Sequence, residues 1–110
     1  YMDLNIIAEE IGISVESYKR LCRIFLDATD QDIEKLKYAF LDMRLQDAAD
    51  LAHHIKGAAS NMDFDEMATT AKNLQLKTLE RPRDTEELLT HYERLVTMYH
   101  SIKSQIEAQL

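Results

Sequence analysis

One cysteine, one proline and two glycines occur in 110 residues, and each shortage excludes something. Cys22 stands alone, so no internal disulfide forms, which fits a reducing cytoplasm. β-rich folds need far more turn residues than this chain supplies. Without a glycine-rich loop there is nothing to cradle a nucleotide phosphate, so neither ATP binding nor autokinase activity is expected. Basic residues are also short, with 13 Lys and Arg against 20 Asp and Glu and a formal charge of −7. Such an acidic chain suits nucleic acid poorly, because that affinity comes from a basic surface through counterion release. No apolar run approaches the roughly 18 residues of a membrane span, so no membrane contact is expected of this chain. No signal peptide is expected. Tyr1 in first place is read as the cut end of a longer protein or a tag remnant.

What is present is hydrophobicity, at 45% too high for disorder, arranged at helical spacing. Residues 1–110 read as one domain, without repeats, linkers or low-complexity stretches. A short helix over about 3–11 places Leu4, Ile7, Ala8 and Ile11 on one side and ends at Gly12. Ser14 caps a long rod over about 15–43, whose stripe is Tyr18, Cys22, Phe25, Thr29, Ile33, Leu36, Phe40 and Met43, with a break near Thr29 as the alternative. A third helix over about 45–61 carries Ala48, Leu51, Ala52, Ile55 and Ala59, the stripe running on to Met62, and a fourth over about 64–80 carries Met67, Ala71, Leu74 and Thr78. After Arg81-Pro82-Arg83, Asp84 or Thr85 caps a last helix over about 85–108 with Leu88, Tyr92, Leu95, Tyr99, Ile102 and Ile106 in phase. The expectation is an all-α fold: an antiparallel up-down four-helix bundle with a short extra N-terminal helix as a lid.

The third helix carries a pattern that packing does not explain. With Ile55 at the centre of the buried stripe, His53 lies about 160° away, facing solvent. Gln46, Ala49, Lys56, Gly57 and Ser60 share that side, where Glu, Lys or Gln would be usual. Gly57 in mid-helix costs roughly 1 kcal/mol relative to Ala, and the unbroken apolar stripe asks for no kink there. Its use is clearance for another body approaching the His53 imidazole. Lys56 neighbours His53 on the helix surface, within reach of an anion attached to the ring.

The run Ala52-His53-His54-Ile55-Lys56-Gly57, followed by Ala58-Ala59-Ser60-Asn61, resembles the histidine-containing phosphotransfer (HPt) domain of bacterial phosphorelays. The pattern covers about Phe25 to Leu79, and the helix plan nearly the whole chain. The resemblance implies that His53 is the phosphorylated residue, Lys56 the stabilising cation and Gly57 the clearance position. It also implies a hydrogen bond from Gln75 to the imidazole. A hairpin turning near Phe64 independently puts Gln75 opposite His53, since opposed numbers then sum to about 128. Two departures stand out: the family often has Gly where Asp63 stands, and some members have a basic residue where Leu79 stands. Asp tolerates the left-handed backbone better than most residues, so the turn survives.

Near neutral pH an ordinary imidazole is mostly neutral and offers one nitrogen lone pair. Nε2 is expected to take a phosphoryl group from a receiver-domain aspartate and return it to another. His54 points about 100° from His53, towards Asp47 and Asp50, where a solvated polar role or a weak ion pair is expected. The implied partners are a response-regulator receiver domain and a hybrid sensor kinase, with the domain itself a monomer in the cytoplasm or in the cytoplasmic part of a membrane-bound kinase. No cofactor is expected on this chain, and Mg²⁺ belongs to the partner receiver. Docking is expected around Ala49, His53, Gly57 and Ser60, edged by Ile6 and Ile7 of the first helix. Two other readings stay open on the residues alone. One is a helical interaction module without chemistry, which leaves Gly57 and Ala49 unexplained. The other is a metal in the bundle core, faintly suggested by Asp50 and His53 at i, i+3 but lacking further inward ligands. No metal is therefore expected.

Overall fold

The computed structural model describes residues 2–110. Five helices follow in order: α1 (Leu4–Ile11), α2 (Val15–Leu41), α3 (Leu45–Asn61), α4 (Asp65–Leu79) and α5 (Thr85–Glu107). No strand occurs among the described residues. α2 to α5 form an antiparallel four-helix bundle in which each helix packs on the next and α5 closes against α2. The 27 residues of α2, at about 1.5 Å each, make a rod that runs most of the molecule's length, which is 46 Å against a width of 20 Å.

Three of the four connections close in the same way. Gly12, Met43 and Asp63 take left-handed backbone, with φ of 88°, 55° and 65°. In each case the next amide reaches back five residues: Ile13 to Ala8 at 3.1 Å, Arg44 to Ala39 at 2.8 Å and Phe64 to Ala59 at 2.9 Å. These bonds satisfy carbonyls that the helix end leaves over. Gly12 adopts the conformation freely and Asp63 tolerates it, whereas the Cβ of Met43 costs roughly 1 kcal/mol. The turn ends α2 at Leu41 rather than 43. Met43 leaves the apolar stripe and stands 64% exposed. Helical phase stops governing side-chain direction once the backbone leaves the helix.

Caps settle the other ends. The Asp3 carboxylate accepts from the amides of Asn5 and Ile6, Ser14 from Ser17 and Asp84 from Glu87. Gln109 ties the two ends of the chain together: its side-chain carbonyl accepts from the Leu4 amide at 2.9 Å, and its amide donates to the Met2 carbonyl at 2.6 Å. α1 therefore sits at the end of the bundle where α3 turns into α4.

The core beneath is aromatic at that end. Phe25 meets Phe64 edge-on with centroids 5.2 Å apart, and Tyr18 donates to the Met62 carbonyl at 2.8 Å. Further along, the Tyr99 hydroxyl and the Lys103 ammonium both reach Asp30 of α2. Ala48, Ala49, Ala52 and Ala59 of α3 are fully buried. Their small side chains let α4 lie close, and α3 with α4 makes the most extensive helix pair of the fold.

Candidate functional site

α3 carries two adjacent histidines in different settings. His53 is exposed, and neither of its ring nitrogens has a protein hydrogen-bond partner among the described residues. His54 is anchored: its Nδ1 lies 2.6 Å from Oδ2 of Asp32 on α2. Asp32 is only 8% exposed, and a carboxylate so placed needs a partner. The expected ion pairing of His54 with Asp47 or Asp50 does not occur. Arg44 holds Asp47 at 2.8 Å, and the Gln46 side chain donates to Asp50 at 3.0 Å. With its neighbours engaged on their own helix, His54 turns across the helix boundary to the buried acid.

This bond marks the flank of α3 that lies against α2. One flank of α3 leans on α2 through His54, so the opposite flank faces α4. Lys56, about 100° from Ile55 on the wheel, lies on the α4 flank and is half-buried there. Ala49, at about 120°, lies on the same flank and is 1% exposed. The expectation that Ala49 belongs to the docking surface is therefore corrected: its methyl is covered. His53, Gly57 and Ser60 remain open to solvent.

Gly57 occupies open space. A Cβ built on it meets no atom within 4 Å, and its φ is not in the positive range. Neither crowding nor backbone conformation requires glycine here. The Lys56 ammonium forms no ion pair among the described residues.

The α3–α4 hairpin turns on Met62, Asp63 and Phe64, centred one residue earlier than Phe64. Opposed numbers thus sum to about 126, and Gln75 stands two residues, about 3 Å along the axis, from the position level with His53. Gln75 is half-buried on α4, and no hydrogen bond joins it to the ring among the described residues. Ile6 is exposed and Ile7 half-buried, and both line a hollow at the bundle end with Asp63 and Phe64. None of the principal hollows is lined by His53, Lys56, Gly57 or Gln75. The site is a convex surface suited to another macromolecule rather than a cleft for a small one.

Sequence reasoning missed Asp32. A signal was there, since Asp32 falls between Thr29 and Leu36 in the phase of the buried stripe, where a carboxylate is out of place unless paired.

The four-helix bundle presents a histidine without a protein partner, a nearby ammonium and a glycine on one face, and its helix plan is that of a phosphotransfer module. Residues 20–106 match the family model described as the Hpt domain, and the chain belongs to that family. Hpt domains carry out histidine phosphotransfer in two-component phosphorelays and have no kinase activity of their own. They typically interact with receiver domains and kinases. No curated protein and no solved structure matches the chain. α1 and the first residues of α2 lie outside the matched span. Among the described residues no helix is long and apolar enough to cross a membrane.

Proposed function

We propose that His53 is the phosphoacceptor and exchanges its phosphoryl group with a receiver-domain aspartate, in either direction. The observation that carries this reading is Gly57. A helix-weakening residue with open space around it gains the folded chain nothing, so its use lies with a visiting body.

In the transfer, the Nε2 lone pair of His53 forms the N–P bond. The P–O bond of the aspartyl phosphate breaks, and its electron pair leaves on the aspartate carboxylate. The transition state is loose, and catalysis is mostly positioning and charge compensation. Lys56, one turn from His53 and free of carboxylates, offsets charge on the phosphoryl oxygens. Gln75 hydrogen-bonds the imidazole as the partner seats and holds the ring in the attacking orientation. The Asp32–His54 bond keeps the second ring turned away, so one imidazole is presented. Mg²⁺ and the acidic pocket belong to the receiver, and this chain needs no cofactor or nucleotide. Docking uses His53, Gly57 and Ser60, with Ile6 as an apolar margin, and the domain acts as a monomer beside its receiver or as part of a hybrid sensor kinase.

The test is incubation with a phosphorylated receiver, followed by a search for an acid-labile, base-stable adduct. The wild type and His54→Ala form it and His53→Gln does not. An adduct that survives in His53→Gln and vanishes in His54→Ala refutes the assignment.

A further inference from the structure

The bundle has a second feature that its own stability does not account for, on the side away from His53. α2 and α5 are pinned together near Asp30 and Tyr99 but pack on each other sparingly overall. Beyond the pin they leave a groove of about 380 Å³ at the end where α2 stops and α5 starts, a size typical of binding clefts at about 300–1,000 Å³. Its floor includes Phe40 and Tyr92, packed edge-on at 5.2 Å.

The lips are apolar and in water: Leu41 is 66% exposed, Met43 64% and Leu89 53%. Met43 is the telling one. It sits in left-handed backbone at a helix end, where glycine or asparagine is the usual choice. The chain accepts that strain and places a large apolar side chain in solvent.

The charge of the lining is one-sided. On a chain of net charge −7, the only charged residues lining the groove are Lys37 and Arg83. The Lys37 ammonium rests 5.8 Å from the Tyr38 ring, and neither cation has a carboxylate within ion-pair distance among the described residues. The Arg83 Nε is buried without an acceptor, so any carboxylate is met by the terminal guanidinium nitrogens.

We infer that this groove is a docking site for an amphipathic helical segment of a partner protein, apolar on one face and carrying carboxylates at its flanks. Its leucine-like side chains fill the space between Leu41, Met43 and Leu89, and its carboxylates meet Lys37 and Arg83. Because the groove lies between α2 and α5 while His53 stands on the α3–α4 side, the segment tethers the domain and leaves the phosphotransfer face free.

The probe is a fluorescein-labelled 14-residue peptide with Leu at i, i+3, i+4 and i+7 and Glu at the flanks, compared with the same peptide carrying Lys flanks. The Glu peptide binds at least tenfold more tightly, and amide shifts fall on residues 37–45 and 83–92. Arg83→Gln weakens it about tenfold, Leu89→Asp abolishes binding, and both variants keep wild-type helicity and phosphotransfer. The inference is overturned if neither peptide binds, if both bind equally, or if the shifts fall on the α3–α4 face. It is also overturned if sedimentation finds a dimer that Leu89→Asp dissolves, since the occupant is then a second copy. A failure of His53 phosphorylation leaves these binding results unchanged, so the two readings fail separately.

Discussion

Replacing Gly57 separates stability from function more sharply than any other change in this chain. In Gly57→Ala the new methyl enters open space. The full helix-propensity gain of roughly 1 kcal/mol is therefore realised, with no steric offset. For a domain of this size that raises the melting temperature by about 4 °C. Gly57→Gln retains most of the gain, because Gln is also a good helix former, but stands a long side chain one turn from His53. Phosphoryl transfer from a labelled receiver should then slow at least tenfold, equivalent to about 1.4 kcal/mol in the transition state. Urea titration followed by circular dichroism measures the first quantity, and single-turnover transfer the second. A more stable protein that transfers poorly is the expected pair of results. If Gly57→Gln unfolds, the glycine has an internal role; if it transfers at the wild-type rate, nothing approaches that face closely. Either outcome defeats the clearance argument.

Other consequences can be checked independently. Lys56→Ala should slow transfer about tenfold with little change in stability, as expected for a half-exposed cation that serves the phosphoryl group rather than the fold; an unchanged rate removes it from the mechanism. His54→Ala leaves the buried Asp32 carboxylate without its imidazole and should destabilise the domain by about 1–3 kcal/mol in urea, while transfer persists. Burial raises the Asp30 carboxyl, but hydrogen bonds from Lys103 and Tyr99 outweigh it and hold the group below the ordinary carboxylate range. The unfolded chain thus binds that proton first, so the stabilisation is present above pH about 4 and is lost as pH falls through the folded value. Asp30→Asn should flatten the acid limb of the stability curve, and an unaltered limb contradicts this. Burial pushes the Cys22 thiol up to about 11, so at pH 8 roughly one molecule in a thousand carries thiolate; a disulfide reagent should label it only on unfolding.

The fold was legible wherever the information is local. Ser14, Gly12 and Asp84 announce their helix ends by chemistry that operates within four residues, and the α4 stripe of Met67, Ala71, Leu74 and Thr78 is buried throughout. His53, Lys56 and Gly57 were visible for the same reason, being neighbours on one helix. What a helical wheel does not contain is which neighbour covers each flank. Ala49 points outward by angle from Ile55 and is covered in the fold, on the flank opposite the His54–Asp32 bond to α2. That bond joins residues 22 apart, and no local rule pairs them. Met43 was in phase with its stripe, but the turn after Leu41 redirected it. The groove between α2 and α5 depends on how two helices distant in sequence diverge, and neither helix reveals it alone.

The most direct test of the account is nitrogen NMR of the imidazole rings before and after phosphorylation by a receiver. Phosphorus should attach to Nε2 of residue 53, shifting that nitrogen and coupling it to ³¹P, while His54, His91 and His100 hold their resonances. Coupling at His54, or at any nitrogen outside the ring of His53, would contradict the claim on which the account rests.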